Sequence, residues 1–129
     1  MALFGRRGGK VAVVELFGTI GGSIRSSEYE GVFSRVADDK RIKALVLDID
    51  SPGGAVPASD YLYRSAKKVA DKKPVVASVR GVAASGGYYI ACAAHQIVAI
   101  PGSLVGSIGV LSVRPVLQEL LSRVGVRVN

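Results

Sequence analysis

At 129 residues the chain suits one domain, and 17 Lys and Arg against 10 Asp and Glu give a formal charge of +7, which raises nucleic acid or an anionic surface as partners. The basic residues are scattered over predicted helices (Arg35, Lys67, Lys68, Arg123) and in loose groups at Arg6, Arg7, Lys10 and at Lys72, Lys73, with no interleaved aromatics, so a nucleic-acid surface is excluded. Hydrophobic residues at 49% and a mean hydropathy of +0.35 are apolar for a soluble monomer and imply an oligomer, while the single Cys92 excludes an internal disulfide and reads as a buried structural thiol.

Residues 1–9 read as a basic, flexible leading segment, and residues 10–129 as one partial domain. Lys10 to Phe17 is a valine-rich apolar run between Gly8-Gly9 and Gly18, the pattern of a buried strand. Ser27 with Glu30 forms a capping box, and Tyr29, Val32, Phe33 and Val36 follow at helical spacing. Lys43 to Ile49 predicts a second buried strand, stopped by Ser51-Pro52-Gly53-Gly54. A helix is expected from about Val56 to Asp71, with Leu62, Ala66 and Val69 on one face. Pro74 opens a strand from Val75 to Val79 that ends at Gly81, and a short apolar helix follows Ser85. Ile97 to Ile100 predicts a fourth strand, and Pro101 to Gly109 a glycine-rich connection. A helix is expected over Arg114 to Val124, with Leu117, Leu120, Leu121 and Val124 inward and Gly125 as its stop. Val126-Arg127-Val128-Asn129 reads as the opening of another strand, so the domain is expected to continue beyond it. Continuous apolar strands alternating with amphipathic helices predict an α/β fold, a mostly parallel sheet with helices on both faces.

From Gly81 to Val113 there is no Asp, Glu, Lys or Arg. Glycines, Pro101, His95 and Gln96 interrupt that stretch, so no run of about 20 apolar residues survives to span a membrane. Glu15 breaks the apolar run near the N-terminus, which therefore does not read as a signal peptide.

Two glycine-rich turns follow predicted strands, and in an open parallel sheet ligands bind beyond the carboxyl ends of the strands. In Asp50-Ser51-Pro52-Gly53-Gly54, paired glycines allow close backbone approach and N–H groups aimed at a substrate, as in an oxyanion hole; the same residues also make an ordinary turn. In Gly81-Val82-Ala83-Ala84-Ser85-Gly86-Gly87-Tyr88-Tyr89, small neighbours leave the Ser85 hydroxyl reachable at a helix start with free N–H groups; an N-cap serine is the plainer alternative. His95 stands ten residues after Ser85, about 15 Å along a continuous helix, too far to act as its base. Asp48 and Asp50 share a strand face without a histidine partner or metal-ligand spacing, which leaves Asp50 a loop-anchoring role.

These two turns, with Gly102-Ser103-Leu104-Val105-Gly106-Ser107-Ile108-Gly109-Val110 after them, resemble the signal peptide peptidase A family, peptidase family S49, within the ClpP/crotonase superfamily. The resemblance runs from about Lys10 to Val128 and implies a ClpP/crotonase-like fold. It implies Ser85 as the nucleophile that forms an acyl-enzyme, Gly53 or Gly54 together with Gly86 as oxyanion donors, and Gly106, Ser107 and Ile108 beside the substrate. It implies a neutral lysine as base, in sequence after Ser85, whereas no lysine follows Lys73. Little or no peptidase activity is therefore expected of these 129 residues alone. The family implies no metal or cofactor, a signal-peptide-like substrate, a homo-oligomer, and membrane association through sequence outside the chain, which itself reads as soluble and cytoplasmic. Two other readings stay open: a crotonase-like acyl-CoA enzyme, and a non-catalytic assembly module in which Ser85 only caps a helix.

Overall fold

The computed structural model describes residues 1–4, 9–112 and 123–125. The expected helix over Arg114 to Val124, apart from its last two residues, and the expected strand at Val126 lie outside the described residues. Among the described residues, six strands, β1 (Ala2–Phe4), β2 (Lys10–Phe17), β3 (Ile42–Ser51), β4 (Val75–Ala84), β5 (Gln96–Ala99) and β6 (Leu104–Gly106), are interspersed with three helices, α1 (Ser26–Asp38), α2 (Val56–Ala70) and α3 (Gly86–Ala91). The sheet order is β1-β2-β3-β4-β5, with β6 joined to β4 beyond the end of β5. All pairings are parallel except β1 on β2, so β2, β3 and β4 start at one edge of the sheet and end at the other.

Alternation along the strands makes the core. Ala12, Val14 and Leu16 of β2, Leu45, Leu47 and Ile49 of β3, and Val75, Ala77 and Val79 of β4 are all buried, because side chains two apart share a face. Helix α1 sends Phe33 and Val36, and α2 sends Leu62, Ala66 and Val69, into the same core at the spacing of one helical face. Pro57 falls in the first turn of α2, where its missing N–H has no intrahelical role.

Several expectations are corrected. Helix α1 begins at Ser26, and Arg25 at its cap makes no side-chain capping bond, so the Ser27/Glu30 box does not form. Ala2–Phe4, expected within a flexible segment, pairs with Val11–Val13. β4 does not end at Gly81 but continues to Ala84, and the connection after Pro101 contains β6. Helix α2 touches both α1 and α3, which puts all three described helices on one face; the opposite face carries the half-buried Val11, Val13, Val46 and Val76.

The edge where β2, β3 and β4 begin is the charged one. Asp39, at the end of α1, receives hydrogen bonds from the Arg41 side chain and backbone, which hold its carboxyl down at about 2. A carboxyl depressed in the folded state stabilises above its ordinary value near 3.8, and that contribution fades as pH falls toward 2. Arg41→Ala is therefore expected to melt below the parent at pH 6, with the gap closing by pH 2, as followed by thermal unfolding across that range.

Candidate active site

The two glycine turns meet at the other edge. β3 ends at Ser51 and β4 at Ala84, and the chain then turns sharply at Ser85, whose φ of 51° and ψ of −118° lie outside the helical and extended regions. A non-glycine residue held there costs about 1–3 kcal/mol. Two backbone bonds hold it: Ser85 N–H donates to Gly106 O at 2.9 Å, and Tyr89 N–H donates to Ser85 O at 2.9 Å. Ser85 is half-buried as a residue, and its Oγ stands 3.5 Å from the Gly109 carbonyl oxygen, the limit of a hydrogen bond.

Gly53 has φ +97°, and a Cβ placed on it would lie 2.8 Å from Gly86 N, 2.9 Å from Ala84 O and 2.9 Å from Ser85 Cβ. The Pro-Gly-Gly loop thus touches the serine junction backbone to backbone. Gly87 is equally confined, since its Cβ would come within 2.8 Å of Ser51 O. Ser51 is buried, donates its hydroxyl to Gly18 O at 2.6 Å and accepts from Gly53 N–H at 3.1 Å. Gly53 N–H is therefore already used. Gly54 N–H and Gly86 N–H enter no hydrogen bond among the described residues, and both glycines line the same cleft as Ser85. Of the alternatives Gly53 and Gly54, the geometry leaves Gly54 the open donor.

That cleft, about 170 Å³, is walled by Val56, Tyr88, Tyr89, Cys92, Ile108 and Val110. A wider groove of about 480 Å³ that shares Ser85 with this cleft runs past Pro52, Ser107, Ile108 and Leu111. Ser107 and Ile108 therefore border the serine, whereas Gly106 contributes its carbonyl to Ser85 N–H. The expectation for Cys92 is overturned: the thiol is exposed and lines the cleft, because Ala91 and Ala93 take the buried positions on either side. Its hydrogen bond raises the Tyr88 phenol above its ordinary value. Tyr89, whose hydroxyl donates to Asp60 at 3.0 Å, stacks on Tyr63 with ring centroids 4.4 Å apart.

His95 is nowhere near this chemistry. Its Nδ1 accepts from Val75 N–H at 3.1 Å, at the start of β4, about 25 Å of strand away from Ser85. All seven lysines share that far edge. Lys10 opens β2, Lys40 and Lys43 flank the start of β3, Lys67 and Lys68 lie in the last turn of α2, and Lys72 and Lys73 precede β4. Lys67 pairs with Asp71, Lys72 with Asp38, and Lys73 donates to the Val36 and Asp39 carbonyls.

The fold is ClpP-like: the chain superposes on ClpP1 from Listeria monocytogenes with a TM-score of 0.56 at 24% identity, covering 64% of this chain and 46% of that one. Within that class it is a relative of the serine proteases of peptidase family S49. Residues 67–129 match the profile of that family, Peptidase family S49. The chain is 43% identical over 121 residues to the chloroplastic serine protease SPPA of Arabidopsis thaliana, covering 93% of this chain and 18% of that protein. It also resembles the K138A mutant of the 1510-N membrane-bound stomatin-specific protease in complex with a substrate peptide, with a TM-score of 0.60 and 30% identity over 83% of this chain and 46% of that one. The chain spans between 18% and 42% of the length of the first curated relatives it matches.

Proposed function

We propose that this chain carries the nucleophile of a serine endopeptidase of the signal peptide peptidase type. Ser85 Oγ attacks a peptide carbonyl, its proton passes to a neutral lysine, and the amine of the cleaved bond leaves an acyl-enzyme on Ser85. Gly54 N–H and Gly86 N–H bind the oxyanion as charge develops. The supporting observation is the backbone contact that sets Ser85 and Gly86 against the Gly53-Gly54 loop. The lysine is supplied from outside these 129 residues, because every lysine within them stands at the opposite sheet edge. Arginine is no substitute, since it stays protonated.

The apolar walls of the cleft suit an apolar side chain beside the scissile bond, such as a leftover signal peptide or a membrane-derived segment provides. The wider groove past Ser107 and Ile108 takes the rest of the peptide. The enzyme assembles with copies of itself; the exposed Val98 in β5, Ile100 just after it and Leu104 in β6 support that, since exposed apolar surface marks an interface. Membrane association, as in the membrane-bound 1510-N protease it resembles, comes from sequence outside the chain. Among the described residues no helix is long and apolar enough to cross a membrane.

A fluorophosphonate probe, which phosphonylates activated serines with loss of fluoride, tests this in the full-length protein. Ser85 is expected to carry the adduct by peptide mapping, and Ser85→Ala to abolish it. Ser85→Gly is expected to be equally inert yet to melt higher than the parent, because glycine relieves the positive φ that serine endures. An adduct that survives Ser85→Ala would overturn the assignment.

A further inference from the structure

β3 and β4 keep one register from Leu45↔Val75 to Ile49↔Val79, and then resume at Ser51↔Ala83. Two steps along β3 are matched by four along β4, so β4 carries a two-residue bulge over Arg80, Gly81 and Val82. The insertion is even, which is why Val79 and Ala83 both remain on the buried face. Its effect is on the nucleophile. In the first register Gly53 would face residue 83; in the second it faces Ser85, as the close approach of Gly53 to Ser85 and Gly86 records. Without the bulge Ser85 would overshoot the Pro-Gly-Gly loop by about 6–7 Å, two residues of strand rise.

A bulge leaves ladder groups without partners; here one carboxylate supplies a partner for such a group, and a second holds the side chain at the start of the bulge. Asp48, buried in β3, accepts a bidentate pair from Arg80, Nε to Oδ1 at 2.9 Å with Nη2 to Oδ2 beside it. The same guanidinium lies 5.3 Å from the centre of the Phe17 ring, a cation–π distance. Asp50, two residues on, accepts the Val82 N–H at 3.0 Å. Gly81 between them has room for no more: a Cβ there would lie 3.0 Å from Asp50 Oδ1.

We propose that Asp48 and Asp50 are positioning residues, whose carboxylates clamp the two ends of the β4 bulge and thereby hold Ser85 opposite the glycine loop. This rests on Ser85 being the nucleophile. Neither carboxylate touches the reacting atoms; they act through the register of β4.

In the full-length protein, Asp50→Ala is expected to lower the maximal rate of fluorophosphonate labelling at Ser85 by about 10–100-fold, the scale of loss from ångström misplacement, with half-saturation and melting temperature nearly unchanged. Asp50→Asn, which keeps an acceptor oxygen for Val82 N–H, is expected to restore most of the rate. Hydrogen exchange at the Val82 amide reads the clamp without any reference to catalysis, and should quicken at least about tenfold in Asp50→Ala. Labelling within twofold of the parent, or Asn as impaired as Ala, overturns the proposal. If the parent itself takes no label, the peptidase reading fails, and the Val82 amide alone decides: protection unchanged in Asp50→Ala overturns the clamp, and lost protection supports it.

Discussion

Gly53→Ala is expected to slow acylation of Ser85 by about 10²–10³-fold, the loss that follows removal of an oxyanion donor, while the protein still folds. The argument is one of space. A methyl group on Gly53 would meet Gly86 N, Ala84 O and Ser85 Cβ inside 3 Å, and two of those three are backbone atoms that have no rotamer with which to retreat. The loop and the serine junction must part, and Gly54 N–H and Gly86 N–H then no longer converge on one point. Gly102 supplies the control. It has a φ of +91°, close to the +97° of Gly53, but nothing lies within 4 Å of where its Cβ would stand. Gly102→Ala pays the left-handed strain alone, about 1–2 kcal/mol, and is expected to melt lower while labelling at the parental rate. Thermal unfolding and the labelling rate of the two variants, measured side by side, separate strain from separation of the turns; equal labelling in both would refute the crowding argument.

How far the residues announce this structure varies with the range of the interaction. The buried strands and α2 were readable because burial on one face imposes a period, and Ala12, Val14, Leu16 or Leu62, Ala66, Val69 display it directly. Local signals failed where tertiary contacts decide. Ser27 and Glu30 have capping-box spacing, yet α1 starts at Ser26 and leaves the box inside its first turn. Gly81 looks like the end of a strand; it is instead the crowded middle of a bulge, and glycine serves both purposes. β6 is three residues long within a glycine-rich stretch and exists because β4 outruns β5, which pairs no further than Val79. Cys92 lies in an apolar stretch, but the turn at the end of α3 buries its neighbours and turns the thiol outward. At the site, the motif order named Ser85 and the glycines, whereas the contact joining them spans 32 residues of chain and the capture of Gly53 N–H by Ser51 has no sequence signature. The paired carboxylates at 48 and 50 were visible as a pair, and Asp50 as an anchor, but the bulge that explains them appears only in the register.

The position of the base gives the second large effect. Each of the seven lysines, replaced singly by arginine in the full-length protein, is expected to leave Ser85 labelling within twofold of the parent. Arginine keeps the charge and the surface ion pairs but cannot take a proton, so the substitution removes only the capacity to act as a base. The parallel sheet makes the outcome a matter of distance: Lys10, Lys40, Lys43, Lys72 and Lys73 lie where β2, β3 and β4 begin, about 25 Å of strand from Ser85 once the bulge is allowed for, and Lys67 and Lys68 lie in the last turn of α2, about 16 Å along the helix from Val56 at the cleft. No side-chain rotamer spans either interval, and a general base must come within hydrogen-bond reach of its hydroxyl. The 129-residue chain by itself is accordingly expected to label about 10²–10⁴-fold more slowly than the full-length protein, the range that general-base catalysis supplies, with its oxyanion donors intact. Circular dichroism on both forms checks that the short one is folded, so that slowness is not mistaken for unfolding. A Lys→Arg variant that lost labelling, with its fold preserved, would bring one of these lysines to the serine from a neighbouring copy, and would move the source of the base from outside these residues to inside them.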